Sequence, residues 1–252
     1  MKTVAVILAA GNGKRMGTAV KKQFLLLLGK PILFYSLKAF EESIVDEIVL
    51  VATKEDMPFI KKEIVDKYGF AKVKYLVEGG RERYNSVMCG INAIVEASYI
   101  FIHDGARPMI DKDIIDRAFD AVRECKACVV GMPSKDTVKI ANENGEVAST
   151  PDRSRVWNVQ TPQVFEFSLI KEAYEAVLSK EEEYKKNGIN ITDDAMILET
   201  YSGHPVRLVE GSYENIKVTT PDDLVLAECF LKMRKNNSES QNEKSEKSEK
   251  CC

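Results

Sequence analysis

Residues 4–17 have the sequence VAVILAAGNGKRMG, in which a short apolar run leads directly into a small-residue turn. The apolar run is rich in β-branched residues and has the length of a buried strand. Open α/β sheets bind ligands beyond the carboxyl ends of their parallel strands, which is where this turn lies. Gly11 and Gly13 allow the backbone to approach a phosphate closely, and Lys14 and Arg15 add positive charge. The segment therefore predicts a strand, a turn and a site for a phosphorylated ligand.

The turn matches neither of the two common phosphate-binding loops. The dinucleotide fingerprint needs a third glycine where Met16 stands, and a P-loop needs Gly-Lys-Ser/Thr after four intervening residues. Further cations follow at Lys21 and Lys22, directly before Gln23. Lysine and arginine side chains bind phosphate groups, so the pattern favours a polyphosphate site of another type. From the residues alone, the alternative is an exposed basic loop.

The rest of the chain alternates short β-branched runs with longer amphipathic segments. This alternation predicts an α/β fold, with a mostly parallel twisted sheet covered by helices on both faces. The predicted strands are 4–9, 47–51, 72–77, 99–103, 127–132, 206–210 and 216–218. The predicted helices are 32–40, 57–68, 83–97, 112–124, 166–178, 193–199 and 221–232.

One segment departs from this alternation. Residues 134–164 are rich in turn residues, and the sequence ENGE at 143–146 is typical of a hairpin turn. We expect residues from about 134 to 160 to form a protruding β-arm. An arm of this size buries too little apolar surface to be stable alone, so we expect it to pack against a second subunit in a homodimer.

Composition bounds the domain organisation and the class of partner. The 252 residues are 44% hydrophobic, which is enough for one core, and we expect residues 1–234 to form a single domain. Residues 235–252 contain only Lys, Glu, Ser, Asn, Gln and two Cys, which predicts a disordered tail. A net charge of -3 does not suit a nucleic-acid partner, and no apolar run approaches the roughly 20 residues that span a bilayer.

The spacing of the cysteines and the N-terminal sequence both predict a cytoplasmic protein. The six cysteines lack the spacing of a disulfide framework, and the chain enters a strand where a signal peptide would stand. Cys125 and Cys128 have CxxC spacing, but no second Cys or His pair follows at the spacing of a zinc site. We interpret the pair as the end of a helix meeting the start of a strand.

Four further blocks accompany the opening turn: GGRERYNSV at 79–87, HDGARP at 103–108, WNVQTPQ at 157–163 and NIKVT at 215–219. In this order the five blocks resemble the sugar nucleotidyltransferases and, among these, the 2-C-methyl-D-erythritol 4-phosphate cytidylyltransferase family, over residues 3 to about 233. The resemblance implies a Rossmann-like nucleotidyltransferase fold. It also implies transfer of the cytidylyl group of CTP to 2-C-methyl-D-erythritol 4-phosphate in non-mevalonate isoprenoid biosynthesis, with release of pyrophosphate.

The resemblance also implies which cations act on the phosphates. Arg15 and Lys22 match the family's two transition-state stabilisers, and Arg153 and Lys217 match the pair that positions the acceptor. Phosphoryl chemistry needs alignment and charge neutralisation more than a nucleophile, and the attacking phosphate oxygen is already anionic. Arg153 lies on the predicted arm, so in a homodimer it would reach the partner's site. From the residues alone, the alternative for Lys22 is a solvated surface lysine.

The remaining site residues are also implied by the resemblance. Asp104 matches the ligand of Mg²⁺, an ion that proteins commonly hold by one or two carboxylates together with substrate phosphates and water. From the residues alone, Asp104 could instead be a turn former. The nucleotide-binding residues implied are Ala9, Ala10, Gly11, Gly13, Gly80, Ser86 and Ala106. The acceptor-binding residues implied are Thr137, Arg107 and Thr192, of which Thr192 is also predicted to be a helix N-cap. From the residues alone, Arg107 could either fix Asp104 or reach a phosphate.

Two rival functions remain open from the sequence. The first is ribitol-5-phosphate cytidylyltransferase, which shares the glycine turn, the Lys-Gln pair and the TPQ element; the blocks at 79–86 and 152–163 resemble the methylerythritol enzymes more. The second is a non-catalytic nucleotide-binding relative. Such a relative would lack one of the key cations or the carboxylate, and none of these is missing here.

Overall fold

The chain forms one seven-stranded sheet with helices on both faces, in a computed structural model that describes residues 1–11 and 20–249, with side chains up to residue 237. The strands are β1 Thr3–Leu8, β2 Leu26–Leu27, β3 Lys30–Pro31, β4 Glu47–Ala52, β5 Val73–Glu78, β6 Tyr99–Asp104, β7 Ala127–Pro133, β8 Ile140–Ala141, β9 Val147–Ser149, β10 Trp157–Glu166 and β11 Arg207–Glu210. The helices are α1 Ile32–Glu41, α2 Met57–Phe59 (continued by a π-helix, Ile60–Asp66), α3 Arg83–Asn92, α4 Lys112–Cys125, α5 Phe167–Leu178, α6 Glu181–Lys186, α7 Asp194–Ser202 and α8 Pro221–Glu249.

The sheet has the strand order β11-β7-β10-β6-β1-β4-β5. Only β10 runs antiparallel to its neighbours within the described residues, and the other adjacent strands are parallel. This arrangement confirms the α/β class with a mostly parallel sheet. The carboxyl ends of β1, β4, β5 and β6 therefore meet at one edge, where ligands bind in folds of this class.

Two helical layers cover the sheet, as the alternation predicts. Residues of a strand point alternately to opposite faces, so Ala5 and Ile7 of β1 pack with α1, α2 and α4. Val4 and Val6 of the same strand pack with α3, α5 and α7 on the other face. All four side chains are fully buried or nearly so. A third, smaller cluster that includes Leu27 joins α8 to β2 and to the start of α1.

The predicted arm is shorter than expected. Residues 157–160 were predicted to be part of the arm, but they belong to β10. This strand pairs with β6 and β7 inside the main sheet. The protruding part contains the two-stranded hairpin of β8 and β9. Its tight turn lies where the sequence predicts one, with Gly145 at a φ of +80° and the Asn142 N–H donating to the Glu146 carbonyl.

One further prediction of secondary structure was wrong. Residues 216–218 were expected to be a strand, but they have no strand partner; the Val218 N–H donates to the Ala106 carbonyl, 2.9 Å away. Helix α8 ends at Glu249, within the segment for which composition predicts disorder. Lysine, glutamate and glutamine favour helix even where they supply no core, and the buried contact of α8 comes from its first half, at Ala227. No helix in the described ranges is long and apolar enough to cross a membrane.

Candidate active site

A cleft lies at the carboxyl ends of β1, β5 and β6, and it contains most of the predicted site residues. Those lining it are Ala9, Ala10, Gly11, Lys22, Gly80, Ser86, Asp104, Ala106 and Lys217. The cleft is also lined by Leu8, Gln23, Arg81, Glu82 and Arg83, which the sequence analysis did not assign to it. Arg15 and Gly13 lie outside the described residues. The topology thus brings together residues that are about 200 positions apart in the chain.

The wall formed after β5 is closely packed against the turn after β1. A methyl group added at Gly79 would lie 2.8 Å from Ala10 Cβ and 2.9 Å from Ser86 Oγ, so only glycine fits there. Ser86 Oγ accepts the Gly80 N–H at 3.1 Å and lies 3.1 Å from the Glu82 carbonyl. Ser86 therefore holds the shape of this loop, in addition to lining the cleft.

Gln23 sets the shape of the turn after β1. Its side chain is buried, and Nε2 donates to the carbonyls of Ala9 at 2.8 Å and Gly11 at 3.2 Å. Buried carbonyl groups need such partners. Gln23 thereby fixes the backbone predicted to receive the nucleotide, a role that the sequence analysis did not assign to it.

The side chains of Lys22 and Lys21 have different partners, and only that of Lys22 lines the cleft. Lys22 Nζ lines the cleft and donates to the Val218 carbonyl at 2.9 Å, which links it to the segment bearing Lys217. Lys21 Nζ instead lies 2.6 Å from the Asp56 carboxylate and does not line the cleft. Both lysines were predicted to surround one phosphate site. In the structure, only Lys22 of the two lines the cleft.

Asp104 is surrounded by three cations. Lys217 Nζ lies 2.7 Å from Oδ2, Arg83 Nε lies 3.2 Å from Oδ1, and Arg107 Nε lies 4.0 Å from Oδ2. Burial by itself would raise the pKa of the Asp104 carboxyl, but Arg83 and the other two cations outweigh it and hold that pKa well below its usual range. The cleft therefore presents an ionised carboxylate at neutral pH.

Arg107 supports this carboxylate from behind. It is largely buried and does not line the cleft, and its Nη1 donates to the Asn215 carbonyl at 2.8 Å. The structure therefore places Arg107 between Asp104 and the segment that bears Lys217. This arrangement agrees with the interpretation in which Arg107 fixes Asp104, and contact of Arg107 with the acceptor phosphate stays a prediction.

Arg83 belongs to a buried network that sequence reasoning missed. Its Nη1 and Nη2 donate to the two carboxylate oxygens of Asp194, at 2.7 and 2.8 Å, and Asp194 also accepts the Tyr174 hydroxyl at 2.6 Å. Asp194 and Tyr174 are fully buried. The alternating pattern of the chain places both on helices, but residues 83 and 194 are too far apart in sequence for any local signal to pair them.

The remaining predicted acceptor residues do not line the cleft of this chain. Thr137 and Arg153 lie on the exposed segment around the hairpin, where Arg153 Nη1 donates to the Lys135 carbonyl at 3.1 Å. Thr192 is exposed too. It is not the N-cap of α7, since Asp193, one residue later, accepts the Met196 N–H with its side chain. An Asp in the β conformation fits that position better than the Thr before it.

His103 is buried beneath the cleft and is not exposed to a substrate. Its Nδ1 lies 3.0 Å from Thr161 Oγ1, which also accepts the Asp104 backbone N–H at 3.1 Å. Burial lowers the pKa of His103 to about 3, so the imidazole is neutral at physiological pH. Thr161 and His103 together hold the end of β6, where Asp104 begins the ligand-facing loop.

Comparison with known proteins agrees with this geometry. The family model described as 2-C-methyl-D-erythritol 4-phosphate cytidylyltransferase matches residues 3–233. The chain is 50% identical to the 2-C-methyl-D-erythritol 4-phosphate cytidylyltransferase of Lachnoclostridium phytofermentans, covering 92% of this chain and 97% of that one. It is 48% identical to the protein of the same name from Alkaliphilus oremlandii, covering 93% and 97% respectively.

Solved structures give the same result. The 4-diphosphocytidyl-2C-methyl-D-erythritol synthase of Anaerococcus prevotii superposes with a TM-score of 0.80 at 33% identity, covering 92% of this chain and 96% of that chain. The 2-C-methyl-D-erythritol 4-phosphate cytidylyltransferase of Thermus thermophilus has a TM-score of 0.70 at 28% identity, covering 90% and 98%. This chain therefore belongs to the 2-C-methyl-D-erythritol 4-phosphate cytidylyltransferase family.

Proposed function

We propose that this chain transfers the cytidylyl group of CTP to 2-C-methyl-D-erythritol 4-phosphate, giving 4-diphosphocytidyl-2-C-methyl-D-erythritol and pyrophosphate for non-mevalonate isoprenoid synthesis. The observation that supports this most is the cleft in which Lys22, Lys217 and Asp104 meet. Two cations and one ionised carboxylate suit a reaction between phosphate groups. The family match over residues 3–233 supports the identity of both substrates.

The two loops of the cleft are suited to hold the nucleotide. The turn at 9–11 presents small residues shaped by Gln23, and the loop bearing Gly80 and Ser86 presents backbone groups opposite it. Ala106 has a short side chain, which leaves room for the ribose beside Asp104. The resemblance implies that this block binds cytosine, and backbone groups can form hydrogen bonds with a base edge, so we assign cytosine to the Gly80 side.

In the reaction, a phosphate oxygen of the acceptor forms a bond with the α-phosphorus of CTP. The bond from that phosphorus to the bridging oxygen breaks, and pyrophosphate leaves with the electron pair. Lys22, together with Arg15 as the resemblance implies, neutralises charge on the α-phosphate and the departing pyrophosphate. Lys217 lies beside the same site and aligns the acceptor phosphate. No general base is needed, because the attacking oxygen is anionic at neutral pH.

We further propose Mg²⁺ as the metal. Asp104 fits the ion, because it is an ionised carboxylate on the cleft wall and a hard oxygen ligand of the type that Mg²⁺ prefers. No cluster of three His, Cys, Asp or Glu side chains exists among the described residues, so substrate phosphates and water would supply the other ligands. When bound, Mg²⁺ would neutralise phosphate charge. Lys217 would have to leave Asp104 Oδ2 to make this oxygen available.

We propose a homodimer, in which the arm of one subunit completes the site of the other. Thr137 and Arg153 are exposed and do not line the cleft of their own subunit, although the resemblance assigns both to the acceptor. The hairpin also exposes two apolar side chains, Ile140 (51% exposed) and Val147 (62% exposed), which a second subunit could cover. We assign the enzyme to the cytoplasm, because nucleoside triphosphates such as CTP are cytoplasmic metabolites.

The experiment that tests this function is pyrophosphate release by the purified protein with CTP and Mg²⁺. Methylerythritol 4-phosphate and ribitol 5-phosphate are offered in parallel, with UTP and no-sugar controls. We expect turnover with CTP and methylerythritol 4-phosphate alone. Turnover with ribitol 5-phosphate only would identify the chain as a ribitol-5-phosphate cytidylyltransferase. Absence of turnover with both sugar phosphates would favour a non-catalytic nucleotide-binding protein.

A further inference from the structure

The guanidinium of Arg83 joins a buried carboxylate to the carboxylate in the cleft. Its two Nη atoms bind both oxygens of Asp194, at 2.7 and 2.8 Å, and its Nε lies 3.2 Å from Asp104 Oδ1. We propose that Arg83 is a positioning residue, which uses Asp194 as an anchor to fix the orientation of the Asp104 carboxylate. The proposal rests on the function given above, where Asp104 takes part in the reaction.

The anchor is rigid because it is held from three elements. Asp194 is fully buried, and its carboxylate also accepts the Tyr174 hydroxyl from α5 at 2.6 Å. Its backbone N–H donates to Gln163 Oε1 of β10 at 3.0 Å. Asp194 is also the first residue of α7, whose N-cap, Asp193, accepts Gln163 Nε2 at 2.9 Å. Motion of this carboxylate would disturb hydrogen bonds on all of these elements.

A bidentate contact transmits this rigidity. Two parallel N–H···O bonds fix the plane of the guanidinium, and the direction of the Nε–H is fixed with it. That N–H points to Asp104 Oδ1. A lysine at position 83 could supply the charge but not the fork, since its ammonium is a point charge on a flexible stem. The geometry is therefore specific to arginine.

The second partner of Asp104 is of a different kind. Lys217 binds Oδ2, but its side chain is 35% exposed, and its proposed role requires it to turn to the acceptor phosphate. Once Lys217 has turned, Arg83 at 3.2 Å is the nearer of the two cations that still hold the Asp104 carboxylate, and Arg107 lies farther away at 4.0 Å. Arg83 thus keeps the carboxylate in place during the step in which the other contact is lost.

The test separates positioning from stability by using three variants. Arg83→Gln leaves the buried Asp194 carboxylate unpaired, so we expect its Tm to fall by roughly 5–10 °C. The double variant Arg83→Gln/Asp194→Asn removes that unpaired charge, and we expect it to regain most of the lost Tm. Its kcat should nevertheless stay about 10²-fold below the wild-type value, because Asp104 Oδ1 still lacks the contact that Arg83 provides. Arg83→Lys should show the same loss of kcat.

A second measurement asks whether Arg83 acts through Asp104. In an Asp104→Asn background, Arg83→Gln should change kcat by less than about threefold, since interacting residues are not additive. Arg123→Gln is the control, because Arg123 lies on the exposed side of α4, 4.0 Å from Asp120, and should leave kcat and Tm unchanged.

Two results would overturn the proposal. One is a double variant in which kcat returns together with Tm, which would make Arg83 a structural residue only. The other is an Arg83→Gln substitution that lowers kcat by the same factor in the Asp104→Asn background as in the wild type. Both are distinct from a failure of the proposed function, in which the wild-type protein itself would not release pyrophosphate.

Discussion

The ammonium of Lys217 lies 2.7 Å from Oδ2 of Asp104, so the residue assigned to the acceptor and the residue assigned to the metal are ion-paired in the free protein. The lysine is assigned to the acceptor phosphate and the aspartate to the metal. Lys217 is 35% exposed at its side chain and can move, whereas Asp104 is only 10% exposed and has two further cationic neighbours. Substrate binding must therefore exchange the partner of Lys217 and leave the carboxylate in place.

The first prediction concerns that exchange. Lys217→Gln removes a cation from the acceptor but leaves Asp104 held by Arg83, so KM for methylerythritol 4-phosphate should rise much more than KM for CTP. We expect kcat/KM for the acceptor to fall by about 10²–10³-fold. Initial rates with each substrate varied in turn check this. Lys126→Gln, which breaks a surface ion pair with Glu166, is the control. Equal rises in both KM values would contradict the assignment.

The second prediction compares two adjacent lysines. Lys22→Ala should lower kcat by about 10³-fold, because a cation beside the transferring phosphate is lost. Lys21→Ala should leave kcat near normal, since the Lys21 ammonium is paired with Asp56 away from the cleft. Steady-state rates and size-exclusion chromatography of both variants check this. Near-normal kcat in Lys22→Ala, with the oligomeric state intact, would refute its role.

The third prediction tests whether the arm acts in the partner's site. Arg153→Ala should mainly weaken use of the acceptor, because Arg153 lies on the exposed arm and not on its own cleft. If the arm crosses between subunits, mixing Arg153→Ala with Lys22→Ala restores one intact site in each mixed dimer. Random mixing should then return about a quarter of wild-type activity.

The measurement is activity after the two variants are unfolded and refolded together, with each variant refolded alone as the control. Recovery in the mixture alone supports an arm that acts across the interface. Absence of recovery, with mixed dimers present by mass spectrometry, would assign Arg153 to its own subunit or to no site.

The fold was largely predictable because its buried parallel strands have a strong local signal. β1 and β6 are continuous runs of apolar residues, and the sequence analysis placed both within a residue of their observed bounds. β10 has no such signal, since Gln160, Thr161, Pro162 and Gln163 interrupt it. Proline disfavours a central strand, and the register shift between Val159 and Gln163 accommodates the interruption. Such accommodation depends on neighbouring strands and cannot be predicted from local sequence.

The part of the site that was predictable from the sequence consists of the loops that follow predicted strands. Residues that follow β1, β5 and β6 are placed in the cleft by topology, so Gly11, Gly80 and Asp104 meet as expected. From the residues alone Arg107 could fix Asp104 or reach a phosphate, and in the folded chain its guanidinium lies beside Asp104 and donates to the Asn215 carbonyl. Which way a long side chain turns depends on partners distant in sequence, and so does the pairing of Arg83 with Asp194.

The fourth prediction is a dependence of stability on pH. Burial lowers the pKa of His103 from 6.5 to about 3, so between these values the unfolded chain binds a proton that the folded chain does not. The free energy of unfolding should therefore fall as the pH falls from 6.5, by at most about 1.4 kcal/mol per pH unit from this group. Urea titrations of the wild type and of His103→Gln between pH 6.5 and 4.5 check this.

His204→Gln, at a histidine outside the core, is the control for that experiment. The His103→Gln variant should have a flatter dependence in this range, whereas the control should follow the wild type. The titrations stop at pH 4.5 because the pKa of Asp104 is also lowered in the folded chain. Protonation of this carboxyl at more acid pH would lower the free energy of unfolding as well. Equal slopes in all three proteins would contradict a neutral buried His103.

The fifth prediction concerns Gln23, which shapes the turn without contributing charge. Gln23→Leu removes the donor to the buried carbonyl of Ala9 and to that of Gly11, which should lower the free energy of unfolding by about 1–3 kcal/mol. Because the turn then relaxes, KM for CTP should rise about tenfold while KM for the acceptor changes little. Ser43→Ala removes a buried hydrogen bond to Phe40 remote from the cleft, and it should lower stability alone. If both variants lose stability and neither changes KM for CTP, Gln23 serves the fold and not the nucleotide site.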